Sequence, residues 1–211
     1  MPFEIKKNAA EKNVIFDEIR KFSTLDDSQI KNLESFISLL LQKNDQFNFI
    51  GKSTIENIWE RHVLDSAQLL RCIENKNLKF ADFGSGAGFP GLVLSILGLR
   101  EIHLIEKSFR KADFLRQAKL FSPNRVFVHQ AKLEELPILE FDCIISRAFA
   151  PLNQLLGYSK KFLKKGGFCL FPKGKNLDAE IELAKKTFQF DYQLHSSLTS
   201  SESNIIKIFN I

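Results

Sequence analysis

The sequence contains no apolar run approaching the ~20 residues that a membrane-spanning helix needs. Its opening, Met1-Pro2-Phe3-Glu4-Ile5-Lys6-Lys7, has no apolar signal-peptide core. Neither membrane insertion nor secretion is expected. Cysteine is scarce: Cys72, Cys143 and Cys169 are odd in number, far apart and set among apolar neighbours. This argues against a disulfide frame and against a zinc site, and it suits buried thiols in a reducing compartment. The expectation is a cytoplasmic chain with no metal. Internal repeats, low-complexity tracts and long linkers are also missing. What remains is a globular composition, 44% hydrophobic and 26% charged over 211 residues, enough for one domain or one domain with an appendage.

The net charge of +5 is unevenly placed. Residues 1–77 carry 11 Lys/Arg against 12 Asp/Glu, whereas residues 78–211 carry 19 against 13. The positive excess of the second part is compatible with a polyanionic partner.

The same boundary divides the patterning. In residues 1–77, Asp26-Asp27-Ser28 precedes Ile30, Leu33, Phe36, Ile37, Leu40 and Leu41, a 3–4 spacing that predicts a helix with one apolar face. A second helix is predicted over 54–73, with Ile55, Ile58, Trp59, Val63, Leu64, Ala67 and Leu70 on its core side. From Leu78 onward, short apolar runs alternate with helical patterns. Strands are predicted at 79–83, 101–105, 126–129, 141–146, 167–171, 192–198 and 205–209. Helices are predicted at 91–97, 109–121, 152–163 and 177–188. This alternation implies a parallel sheet built from βαβ units. The last two strands are joined by too few residues for a parallel crossover and should form an antiparallel hairpin.

The most informative stretch, Asp82-Phe83-Gly84-Ser85-Gly86-Ala87-Gly88-Phe89-Pro90-Gly91, lies between the first strand and its helix. In an open parallel sheet this turn binds ligands. A dinucleotide fingerprint does not fit: framed from Gly84, the sixth position is Phe89, and Pro90 withholds an N–H where a pyrophosphate needs donors. Asp82 can organise the turn or meet a cationic group. Glu106, 22 residues after Gly84, can accept the hydroxyls of a ribose. A ligand with a ribose, an ammonium group and no phosphate is S-adenosylmethionine.

The loop resembles the cofactor loop of the RsmG methyltransferases, also called GidB, bacterial enzymes that methylate N7 of a guanine in 16S ribosomal RNA. The resemblance extends through Phe47-Asn48, Arg61-His62-Val63-Leu64-Asp65-Ser66, Ser146-Arg147-Ala148-Phe149-Ala150 and Lys173-Gly174, covering about residues 45–182. Ala87, Phe89 and Glu106 stand where proline, leucine and aspartate are common in that family. The resemblance implies a Rossmann-like class I methyltransferase: an α/β fold with a seven-stranded, mostly parallel sheet, a C-terminal antiparallel hairpin and an N-terminal helical extension. The implied division is 1–77 for the extension and 78–211 for the catalytic domain. It implies cofactor contacts from Gly84, Phe89, Leu133, Glu134 and Arg147, which join Asp82, Ser85, Gly86 and Glu106 in the expected cofactor site.

Guanine N7 carries a lone pair and no proton, so alignment with an activated methyl can suffice and no general base is required. Arg147 is expected to position the reactants and Lys173 to grip RNA, while His62, beside Arg61, is the histidine expected to line the site. His103 and His129 fall in strands and are expected to pack or lie at the surface. Arg110-Lys111, Arg116, Lys119, Lys160-Lys161 and Lys164-Lys165 are candidate backbone contacts, or simply a solvated face. The target base should be unpaired or flipped out, because the A-form major groove is closed to protein. The expected partner is 16S ribosomal RNA, with naked RNA and the assembled small subunit both open as its form. Two other functions fit less well: methylation of a small molecule or protein, and a non-catalytic RNA-binding module.

Overall fold

A computed structural model describes the backbone of residues 2–211 and the side chains of residues 11–211. Helix α1 spans Pro2–Arg20 and α2 spans Asp27–Phe47. The acidic cluster ahead of α2 works as a reciprocal cap. The Gln29 N–H donates to the Asp26 carboxylate at 2.8 Å, and the Asp26 N–H donates to the Gln29 side chain at 3.0 Å. Leu33, Phe36, Ile37 and Leu40 are buried along one face, as their spacing predicts.

The helix predicted over 54–73 is not uniform. A 3₁₀ turn covers Lys52–Thr54. After a break, a composite helix is π-helical over Trp59–Leu64, α-helical over Asp65–Ala67 (α3) and 3₁₀ over Gln68–Cys72. A π turn adds a residue and shifts the phase of the side chains that follow. Here that keeps Ile58, Trp59, Val63 and Leu64 in the core while His62 and Asp65 reach the end of a strand.

Seven strands follow: β1 Lys79–Phe83, β2 Glu101–Ile105, β3 Arg125–His129, β4 Phe141–Ile145, β5 Leu163–Lys173, β6 Asp191–Ser196 and β7 Asn204–Phe209. Their order is β3-β2-β1-β4-β5-β7-β6, with the first five parallel and β7 antiparallel to both neighbours. The connecting helices are α4 Gly91–Ile96, α5 Phe109–Ala118, α6 Leu152–Phe162 and α7 Leu177–Lys185. Strand β5 starts four residues before the expected Gly167, ending α6 at Phe162. Gly166 and Gly167 therefore sit inside the strand. Pairing jumps from Phe141 opposite Leu163 to Cys143 opposite Phe168, and Gly166 takes φ +79° at the irregularity.

Side chains alternate between two buried faces, as a parallel sheet covered on both sides requires. Ala81, Phe83, Ile105, Ile144, Cys169 and Phe171 pack with α6 and α7. Phe80, Ile102, Leu104, Cys143, Ile145 and Leu170 pack with α2, α4, α5 and the composite helix. The three cysteines are buried and unpaired, and burial pushes the Cys169 thiol up to about 12. Among the described residues no helix is long and apolar enough to cross a membrane.

Candidate active site

The carboxyl ends of β1 to β4 converge, and the turn after β1 forms the floor between them. Gly84 and Ser85 both donate their N–H groups to the Ile105 carbonyl, at 3.0 and 3.1 Å, pinning the turn to the end of β2. Gly84, Gly86 and Gly88 have φ of +73°, +56° and +95°, a region that side chains resist. A Cβ on Gly84 would also lie 2.3 Å from the Phe149 ring.

Glu106 follows β2 and is held by two backbone donors, Gly86 N–H at 3.0 Å and Ser108 N–H at 2.7 Å. These bonds fix the carboxylate at the cavity wall and leave lone pairs for a ligand's hydroxyls. Asp82 lies one layer lower. It is wholly buried, accepting the Gly91 N–H at 3.0 Å through Oδ2, while its Oδ1 has no partner among the described residues. Burial pushes its carboxyl up to about 7, against the opposing pull of the Gly91 bond and Arg147. Of the two roles open to Asp82, organising the turn is the one this placement serves. Ser85 and Phe89 are likewise sealed below the turn. The Ser85 hydroxyl donates to the Asp82 carbonyl at 2.9 Å, and Phe89 packs on Phe36 and His62.

Above this floor is a cavity of about 500 Å³, within the ~300–1,000 Å³ range of small-molecule sites. Its wall includes the expected Gly84, Gly86, Glu106, Leu133 and Glu134. Lys107, Gln154, Tyr158 and Phe149 also line it and were not expected as site residues, and Lys111, expected as a candidate RNA-backbone contact, lines it too. Gln154 and Tyr158 are four apart on α6, so their shared face was legible once α6 was known to border the site. The Tyr158 hydroxyl donates to Glu134 and holds that carboxyl below its ordinary range.

Arg147 does not line this cavity. It stands beside it, on the walls of two neighbouring cavities of about 460 and 310 Å³. Its guanidinium donates to the Asp65 carboxylate at 2.8 Å, to the Arg61 carbonyl at 3.2 Å and to His62 Nδ1 at 2.9 Å, and lies over the Phe89 ring. Since Nδ1 accepts, the hydrogen of His62 is assigned to Nε2, which donates to Thr54 Oγ1 at 2.9 Å. Burial, then the Arg147 charge, lowers the His62 pKa to about 4, so the ring is neutral at pH 7. Asp65 also accepts from Gln68 and Thr199 at 2.9 and 2.8 Å. The sequence motif contained Asp65 but gave no reason to single it out, because its partner is 82 residues away.

Lys173 lines the 460 Å³ cavity with its ammonium bound to the Glu180 carboxylate at 2.7 Å and the Ala150 carbonyl at 2.9 Å. His103 and His129 lie away from all three cavities, stacked on each other across β2 and β3 with Nδ1 and Nε2 2.8 Å apart. No group of three or more metal-ligating side chains is gathered among the described residues.

A glycine turn after β1, an acidic residue after β2 and a reversed last strand inserted beside β5 define the Rossmann-like methyltransferase fold. Solved structures agree. Magnesium protoporphyrin IX methyltransferase from Synechocystis PCC 6803, with bound SAM, superposes with a TM-score of 0.59 at 15% identity, over 88% of this chain and 97% of that one. The ribosomal protein L11 methylase from Lactobacillus delbrueckii subsp. bulgaricus gives 0.58 at 18% identity, over 70% and 77%. The GidB family model, rRNA small subunit methyltransferase G, matches residues 29–208. Ribosomal RNA small subunit methyltransferase G of Rickettsia felis is 41% identical over 86% of this chain and 94% of its own. That of Rhodospirillum rubrum is 37% identical over 86% and 90%. The chain belongs to the rRNA small subunit methyltransferase G family.

Proposed function

We propose that this protein transfers a methyl group from S-adenosylmethionine to N7 of a guanine in small-subunit (16S) ribosomal RNA, acting in the cytoplasm. On this reading residues 78–211 form the catalytic domain and residues 1–77 an extension packed on it. The observation that carries the reading is a cavity floored by Gly84 and Gly86 and flanked by Glu106, opening beside the cavities that Arg147 lines. Family membership supplies the RNA.

The cofactor brings a methyl carbon already activated on a sulfonium. Glu106 takes the ribose hydroxyls, Leu133 forms an apolar wall and Glu134 a polar rim for the adenine, and Gly84 and Gly86 admit the ligand where a Cβ would obstruct it. Asp82, Ser85 and Phe89 act through the turn they support. N7 has a lone pair and loses no proton, so the protein has only to align the reactants and exclude water. Neutral His62 is suited to that role, since its Nδ1 orients the Arg147 guanidinium and holds no proton to give. Arg147 then offers N–H donors that can hold the acceptor's O6 or a flanking phosphate, and Lys173 holds the edge of the 460 Å³ cavity on which RNA lies.

Transfer of tritiated methyl groups tests the reading. Label should enter the small-subunit RNA, either naked or within the assembled subunit. Label entering only protein or small molecules would refute it.

A further inference from the structure

Phe149 is 39% exposed and lines both the 500 Å³ cavity and the 460 Å³ cavity. Phe47, Phe109 and Phe127 are more exposed still, yet they border neither cavity. The backbone around Phe149 is built to hold it there. Ala148 before it takes φ +52°, a conformation that residues with a Cβ rarely adopt. Such a turn persists only where its surroundings over-determine it, and three anchors do so. The Ser146 hydroxyl donates to the Phe83 carbonyl at 2.8 Å, Arg147 is tied to Asp65, and the Lys173 ammonium donates to the Ala150 carbonyl at 2.9 Å. The ring rests against Gly84, the position where a Cβ would collide with it, and sits 6.2 Å from the Tyr158 ring at a tilt of 45°.

We propose that Phe149 is the platform on which the acceptor base stacks, and that the 460 Å³ cavity beyond it receives that base. This deepens the proposed function and rests on it. An unpaired base needs a flat apolar face to replace the neighbours it has lost, and aromatic side chains supply one. At the boundary between the two cavities, one face of such a ring can hold a purine directed at the donor side. The receiving cavity also carries the Glu180 carboxylate, whose Oε2 is taken by Lys173 and the Leu152 N–H, leaving Oε1 as an acceptor of the kind that the N1–H and N2–H donors of guanine require.

The test compares Phe149→Leu, which keeps apolar bulk without a π face, with Phe149→Tyr, which keeps the ring. Phe149→Met replaces the leucine variant if that one fails to fold. Methyl transfer to small-subunit RNA is measured against RNA concentration, and S-adenosylmethionine affinity is measured separately by calorimetry. Stacking of one base is worth ~1–3 kcal/mol, so Phe149→Leu should raise KM for RNA, or lower the single-turnover rate, by about 5- to 150-fold. Phe149→Tyr should stay within about threefold of the parent, and cofactor affinity should hold in both. A leucine variant as active as the parent would overturn the proposal. So would an equal loss of cofactor affinity, which would make Phe149 only a wall of the cofactor cavity. If the unaltered protein transfers no methyl to RNA, the functional reading fails and takes the platform with it.

Discussion

Asp65 and Arg147 meet at 2.8 Å, joining the composite helix to the end of β4 through a largely buried ion pair. The guanidinium is held in place from the N-terminal helical region, so those helices help to shape the site. Asp65→Ala leaves a largely buried cation with His62 and one carbonyl as partners. Loss of a charged hydrogen bond there should cost about 2 kcal/mol in denaturant unfolding. The single-turnover methylation rate should fall at least tenfold while cofactor affinity changes far less. A variant of parental activity would remove Arg147 positioning from the mechanism.

Asp82 predicts a particular pH dependence. Its folded pKa, raised to about 7 by burial, lies above the ordinary carboxylate value, so the folded protein holds a proton that the unfolded chain has lost. Its contribution to stability is complete below about pH 4 and disappears as pH rises through 7. Asp82→Asn should remove this loss, so the stability difference between variant and parent should move in the variant's favour from pH 4 to pH 8. Parallel unfolding free energies across that range would show that Asp82 keeps an ordinary pKa.

Gly84 combines a φ of +73° with a Phe149 contact that leaves no room for a Cβ. Gly84→Val should strain the turn, displace Phe149 and weaken S-adenosylmethionine binding by an order of magnitude or more, as read by calorimetry. A folded variant with unchanged affinity would move the cofactor elsewhere.

Lys175 is exposed next to Gly174, which lines the 460 Å³ cavity, whereas Lys164 and Lys173 are already paired with Asp142 and Glu180. RNA affinity should fall steeply with salt as counterions are released. Lys175→Gln should reduce the slope of log affinity against log salt by about 1 and leave cofactor binding unchanged. A salt-independent affinity would rule out an electrostatic interface.

The sheet was legible because short apolar runs and a glycine turn are local signals, and every strand lies within a few residues of its predicted span. The π turn at Trp59–Leu64 and the early start of β5 were not legible. Each goes with a contact distant in sequence: Asp65 with Arg147 just after the first, Leu163 with Phe141 at the second. The site shows the same division. Glu106 and the glycines could be read from spacing. Asp65, Tyr158 and Phe149 acquire a place only when the ends of β4 and α6 meet the cavities. Asp82 was legible as a residue of the loop, but its depth beneath the turn was not.

The most direct measurement of the central claim is the identity of the methylated atom. The product RNA is treated with borohydride and then aniline, which cleave at the cationic 7-methylguanosine, while single-turnover rates are taken at saturating cofactor from pH 6 to 9. One scission site in small-subunit RNA is expected, with no general base in the rate, because N7 loses no proton and His62 stays neutral throughout the range; any titration near pH 7 should come from Asp82 beneath the turn and vanish in Asp82→Asn. A product that resists scission, together with a rate that rises through an apparent pKa near 7 in Asp82→Asn as well, would contradict transfer to N7 and point to an acceptor that must lose a proton.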